Sequence, residues 1–395
     1  MAAENLDSSG LNQLIQDIDN AVAQLQASEL GSAYGYFSTQ FYERFRVEKS
    51  CQHLRWLDLA TEYGEKALQH TPPGDFNLAI RLDRQSSMLQ DKYILLGDDG
   101  NLGLIQKAVE LGRQAVDVQA KTEEDRLDRA DFCGNLGDVL LTLYQRESDP
   151  GLLDEAAQYA EEAVLSATGV TKANHLNTLA NILLEKSLVV TSPETLGLAF
   201  KIIQQALALD SSRSALWHTS AIIREQLYIC DSFSKDEYLE AALDDALKAV
   251  ELTERHVQTG GETRATQVTC VNHLSSLLAQ RYRRYGNLQD LRKAVELGRS
   301  VFTDLKSNVP QFLRASQVLT NALAQLYERE GRIEHLNESI KISEEAMNGP
   351  SPRQFRCLPG SLQILYDLHP PQRLQHPMGR RRPDSQEPWP LQSLR

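Results

Sequence analysis

Along most of the chain a large aliphatic residue is followed three positions later by a small one, and a further small or medium apolar residue comes seven positions after that. The pattern recurs seven times, as Leu57/Ala60/Ala67, Ile105/Ala108/Ala115, Leu153/Ala156/Ala163, Leu196/Ala199/Ala206, Leu239/Ala242/Ala249, Leu291/Ala294/Val301 and Leu336/Ser339/Ala346. Seven residues make almost two helical turns, so the two small side chains share one face, with the aliphatic about 60° round from them. Small side chains there let a neighbouring helix come close. A single copy describes any amphipathic helix; seven in register predict a repeat array. Successive first small residues lie 48, 48, 43, 43, 52 and 45 apart. The position midway in the pair is small as well, at Gly64, Gly112, Ala160, Ala246, Gly298 and Ser343, with Ile203 the exception.

A second helix is predicted upstream of each of these, marked best by Leu136/Leu140/Tyr144, Leu274/Leu278/Tyr282 and Leu319/Leu323/Tyr327. In these three copies the Tyr precedes the next small residue by the same 12 positions, which fixes the length of the turn between helices. Tyr42, Tyr93 and Tyr228 occupy comparable places, while the fourth unit keeps Leu179 and Leu183 but has Ser187 where a Tyr is expected. Turn signals fall between the two helices at Gly97 to Gly103, Asp149-Pro150-Gly151, Ser192-Pro193, Gly286-Asn287 and Gly331. The word Lys-Ala-Val-Glu-Leu occurs at 107–111, 248–252 and 293–297, but the middle copy falls at the end of its helix, out of register with the other two. Leu11 to Leu25 has the spacing of an amphipathic helix, a cap or degenerate half-repeat over residues 1–29 ahead of the array at 30–347.

Periodicity stops at Asn348, where nine of the 14 prolines crowd the last 48 residues. Residues 348–395 read as a disordered Pro/Arg-rich tail, or as a frame that has run into non-native coding sequence. The whole chain carries a formal charge of -13. Seven Arg against three acidic residues give the tail +4, which leaves -17 on residues 1–347. Such a balance argues against nucleic acid phosphates and makes a basic surface the natural partner. The start lacks the basic and apolar segments of a secretory signal, no run of about 18 apolar residues offers a membrane span, and five scattered cysteines fit a reducing, cytoplasmic setting.

Catalytic and metal-binding patterns are missing from the sequence. None of the nine histidines lies at ligand-like spacing from another or from a cysteine, and His175, His273 and His335 read as structural. Gly97-Asp98-Asp99-Gly100-Asn101-Leu102-Gly103 lacks the Lys-Ser/Thr of a phosphate loop, and no Gly-x-Ser-x-Gly elbow occurs. Neither an enzyme activity nor a cofactor or metal is expected.

The small pair seven apart, its preceding aliphatic, and Leu136-Gly137 in the first helix together resemble the tetratricopeptide repeat, with units longer than that family's ~34 residues. The stretch from Gln280 to Val295, with Tyr327-Glu328-Arg329-Glu330-Gly331 and Asn135-Leu136-Gly137, resembles more specifically the long-unit arrays of filamentous fungi that often precede a CHAT-type, caspase-like peptidase domain. The resemblance implies an all-α, right-handed superhelical solenoid of about seven antiparallel helix pairs. A HEAT-like array has a similar period of roughly 40–47, but the Tyr at the turn and the small pair favour the tetratricopeptide fold. Two functions follow from the resemblance: a scaffold that takes a protein or peptide into its concave groove, or the regulatory arm of a peptidase whose catalytic domain lies outside this chain. Self-association through an end of the array stays open.

In such a superhelix the first helices line the groove. Positions two before and two after the core Leu converge within about 40° on the face turned from the core. Asn177 and Asn272 hold the first of these positions; Asn181, Asn321 and Asp138 hold the second. They form a candidate ladder whose amides would pair with the backbone of an extended peptide. A groove that clamps a C-terminal carboxylate would need Lys or Arg clustered beside such Asn residues, and no unit carries that cluster.

Overall fold

In a computed structural model of the chain, the residues described are 8–46, 54–73, 75–96, 101–118, 123–231, 235–259, 264–302 and 309–348. The Pro/Arg-rich tail beyond 348 lies outside them, as does most of the Gly97 to Gly103 turn. Among the described residues there are 15 helices and no strand. A leading helix α1 (Ser8–Val22) is followed by seven pairs. The first four are α2 (Ala27–Arg46) with α3 (Leu54–Gln69), α4 (Phe76–Leu96) with α5 (Leu102–Asp117), α6 (Glu123–Glu147) with α7 (Pro150–Ser166), and α8 (Gly169–Val190) with α9 (Pro193–Leu209). The remaining three are α10 (Ser214–Cys230) with α11 (Asp236–Thr259), α12 (Arg264–Tyr285) with α13 (Leu288–Phe302), and α14 (Val309–Glu330) with α15 (Ile333–Asn348). Each helix packs on its neighbours in sequence, and first helices also touch across units at α4–α6, α6–α8, α8–α10 and α12–α14. The chain is an all-α solenoid of helix pairs, the architecture expected from the tetratricopeptide resemblance.

The small residues sit where close approach requires them. Ala60, Ala108, Ala156, Ala199, Ala242 and Ala294 are completely buried, and so is Ala115, Ala163, Ala206 or Ala249 seven residues on in four of the units. Each lies on a second helix, against its own first helix on one side and the next unit's first helix on the other. A Cβ on Gly298 of α13 would come within 3.2 Å of the Cβ of Leu319 in α14, and one on Gly112 within 2.9 Å of Leu136 in α6. The carbonyls of Ala60, Ala108 and Ala294 each accept a hydrogen bond from a buried first-helix serine, Ser38, Ser86 and Ser275, at 2.8, 2.7 and 2.8 Å.

Four of the turns repeat a single solution. The first helix ends on a residue with positive φ, namely Ser148, Thr191, Gly286 or Gly331, and a polar residue then starts the second helix. Asp149 accepts from the Gly151 amide, Ser192 from the Thr195 amide and Asn101 from the Gly103 amide, and Pro150 and Pro193 follow where a missing amide proton does no harm. At the front, α1 buries Ile18 and Val22 against Phe41, Phe45 and Leu57, and the Tyr63 hydroxyl of α3 donates to Asp19 at 2.8 Å.

Candidate functional site

The first helices of six successive units, α4 to α14, enclose one cavity of about 550 Å3, with no second helix among the described residues of its wall. Because α4 and α14 both contribute, the array curls far enough for its inner face to become a channel. This follows from the pairing: second helices carry the small seams that hold units together, so polar side chains of the first helices are left to face inward.

Gln90, Asp138, Asn181, Glu185, Asn272 and Arg314 supply much of the polar lining. Gln90 donates to Asp138 at 3.0 Å and to Thr142 at 2.8 Å, tying α4 to α6. His218 of α10 and His273 of α12 meet edge to face with ring centres 5.1 Å apart, and His273 Nε2 lies 3.1 Å from the Glu225 carboxylate. Burial pushes the His218 imidazolium down to about 3, with His273 and Arg314 adding to the effect, so this ring is neutral at pH 7. Burial pushes the Glu185 carboxyl up to about 7, opposed by the charge of Arg314. The side-chain oxygen of Asn272 and the Nδ1 of His273 are buried without a hydrogen-bond partner among the described residues.

A second cavity of about 640 Å3 adjoins the first at Asp138 and is built on α4, α6, α8 and the start of α10. Asn135 donates to both carboxylate oxygens of Asp83, at 3.2 and 3.1 Å. Burial still raises that carboxyl to about 7, with the charge of Asp131 adding to the rise. His175 Nε2 lies 2.9 Å from Asp131, and Arg213 of the loop ahead of α10 donates to Asn174 at 2.5 Å. Across the two cavities carboxylates outnumber basic side chains, so the inner wall is acidic.

Of the five residues singled out by spacing, Asn181, Asn272 and Asp138 line the channel. Asn177 lines the adjoining cavity, its side-chain oxygen buried and unpartnered like that of Asn272. Asn321 is exposed on α14 and lines neither cavity. His175, His273 and His335 each pair with a carboxylate, Asp131, Glu225 and Glu330, as structural histidines do. Glu185, His218 and Arg314 escaped the spacing argument. Residues 185 and 314 stand three units apart, and only the curl of the array brings both to one cavity. Cys133 and Cys270 are buried and Cys230 exposed, none of the three in a disulfide, and among the described residues no cluster of three or more ligating side chains could hold a metal. No helix among them is long and apolar enough to cross a membrane.

No family model matches the chain, and no curated protein matches it. Similar solved structures include a thermophilic TPR protein of Thermus thermophilus, at 19% identity and a TM-score of 0.40, covering 62% of this chain and 98% of that one. The yeast Sti1 TPR2AB domain in complex with pHSP90 matches at 14% identity and a TM-score of 0.28, over 73% of this chain and 99% of that one. The human IFIT1 dimer with m7Gppp-AAAA matches at 13% identity and a TM-score of 0.33, over 90% of this chain and 87% of that one. Likeness at this level is one of stacked helix pairs and assigns no ligand.

Proposed function

We propose that this protein is an interaction scaffold whose concave channel holds an extended, basic segment of a partner protein. The observation that carries the reading is a cavity built by first helices alone, acidic in balance, in which the Asn272 side-chain oxygen is buried without a partner among the described residues. An unsatisfied buried acceptor is worth about 1–3 kcal/mol to whatever satisfies it. An extended peptide offers amide donors and carbonyl acceptors at regular intervals, which side-chain amides match in both senses. The channel carboxylates Asp138 and Glu225, and Asp131 beyond them, set a negative field that draws basic segments and repels phosphate. The surplus of acidic residues over the array, -17 for residues 1–347, extends that field outward.

Binding of fluorescein-labelled extended peptides, each with one central Lys, tests the reading by anisotropy. Replacing Asn181 and Asn272 together by Ala is expected to weaken the best binder by about tenfold or more. Asn321→Ala, outside the channel, leaves the affinity as it was. Equal affinity for wild type and the double variant would dispose of the amide ladder.

A further inference from the structure

Glu185 sits on α8 with 8% of its surface exposed and lines the channel. Among the described residues it makes no hydrogen bond or ion pair, although a buried carboxylate without a partner is among the least favourable arrangements a folded chain holds. Its chief charge influence is Arg314, which acts on it from α14 without forming an ion pair. Two more side-chain atoms without a hydrogen-bond partner among the described residues share the cavity, the Asn272 oxygen and His273 Nδ1. A neutral ring that donates from Nε2 to the Glu225 carboxylate presents Nδ1 as an acceptor. Unpartnered acceptors in one cavity, one of them a carboxylate, fit an occupant with a positive charge and several N–H donors. An ammonium has three such donors and a guanidinium five, each on a flexible alkyl stem.

Resting on the scaffold reading above, we propose that Glu185 anchors one Lys or Arg side chain of the bound segment, in the cavity it shares with Asn272, His273 and Arg314. Arg314 then has a distinct part. Its own donors are free for a main-chain carbonyl of the same segment, and its charge limits the site to a single cation. The other charged or titratable groups lining this cavity are Asp138 on α6 and His218 and Glu225 on α10, and Tyr144 on α6 lies within the electrostatic reach of Glu185. Asp138 and Glu225 already hold Gln90 and His273, which leaves Glu185 as the carboxylate open to a newcomer.

An array of otherwise uncharged extended nonapeptides, each with one central Lys, tests this against the same array carrying acetyl-lysine. Wild-type protein is expected to prefer Lys by about tenfold or more, the scale of one charge-assisted hydrogen bond. Glu185→Gln should abolish that preference while keeping residual peptide binding. A purely structural role for Glu185 would weaken the Lys and acetyl-lysine peptides alike. Peptide capture by wild type with no preference for Lys, or an undiminished preference in Glu185→Gln, overturns the anchor and leaves the scaffold standing. Failure of every peptide in both arrays overturns the scaffold reading, and the anchor with it.

Discussion

Glu185 and His218 show how folding can strip charge from side chains that water would ionise. A carboxyl raised to about 7 keeps, in the folded chain, a proton that the unfolded chain releases near its ordinary value of 4.5. Stability from this group is therefore present below about 4.5 and lost as the pH rises through about 7. His218 has the opposite sign: its folded value of about 3 lies below the ordinary 6.5, so its contribution is present above 6.5 and lost as the pH falls toward 3. Glu185→Gln removes the first linkage and leaves the second. The thermal midpoint of that variant is expected to exceed wild type at about pH 8 and to converge with it near about pH 5; parallel curves would mean that the carboxyl is solvated. None of this was legible in the sequence, where Glu185 stands as an ordinary acidic residue between Leu183 and Ser187. The cavity it lines is completed by α14, three units away.

At the scale of the helix, far more was legible, because second helices are read from residues that touch only their sequence neighbours. The small pair, its aliphatic and the midway glycine all serve contacts within one unit or to the next, so their spacing survives in the sequence. Even the repeated word Lys-Ala-Val-Glu-Leu has a local meaning in its true copies. Arg113, five residues after Ala108, makes a two-pronged ion pair with Glu155 just before Ala156, and Arg299 repeats this with Glu338 just before Ser339. The pair Lys248–Glu251 within the out-of-register copy at 248–252 is not distinctive, since Lys293 and Glu296 make the same contact in the copy at 293–297. The ion pairs between units are half exposed and each stabilises the array by about 1 kcal/mol at most; the apolar seam matters more. Ala156→Leu and Ala294→Leu are each expected to overpack a joint and lower stability by about 1–3 kcal/mol in thermal or urea melts. Neutral melts for both would contradict the assigned register.

Among the described residues the core falls into three clusters, with divisions near α3–α4 and within α10. The second division coincides with the place where first helices face one another through His218, His273 and Glu225 rather than through aliphatic side chains. It also precedes the longest spacing between units, 52 residues from Ala242 to Ala294. A polar joint there is physically costly in a solenoid held by nearest-neighbour stacking, and it lies in the wall of the channel. The first helices thus carry the polar lining and the second helices the small-residue seams. Hydrogen–deuterium exchange across the chain, with and without the tightest Lys peptide, tests that division most directly. The account predicts slowed exchange confined to the first helices α4, α6, α8, α10, α12 and α14, with α7, α9, α11 and α13 unchanged. Protection spread over those second helices instead, or confined to an end of the array, would contradict it.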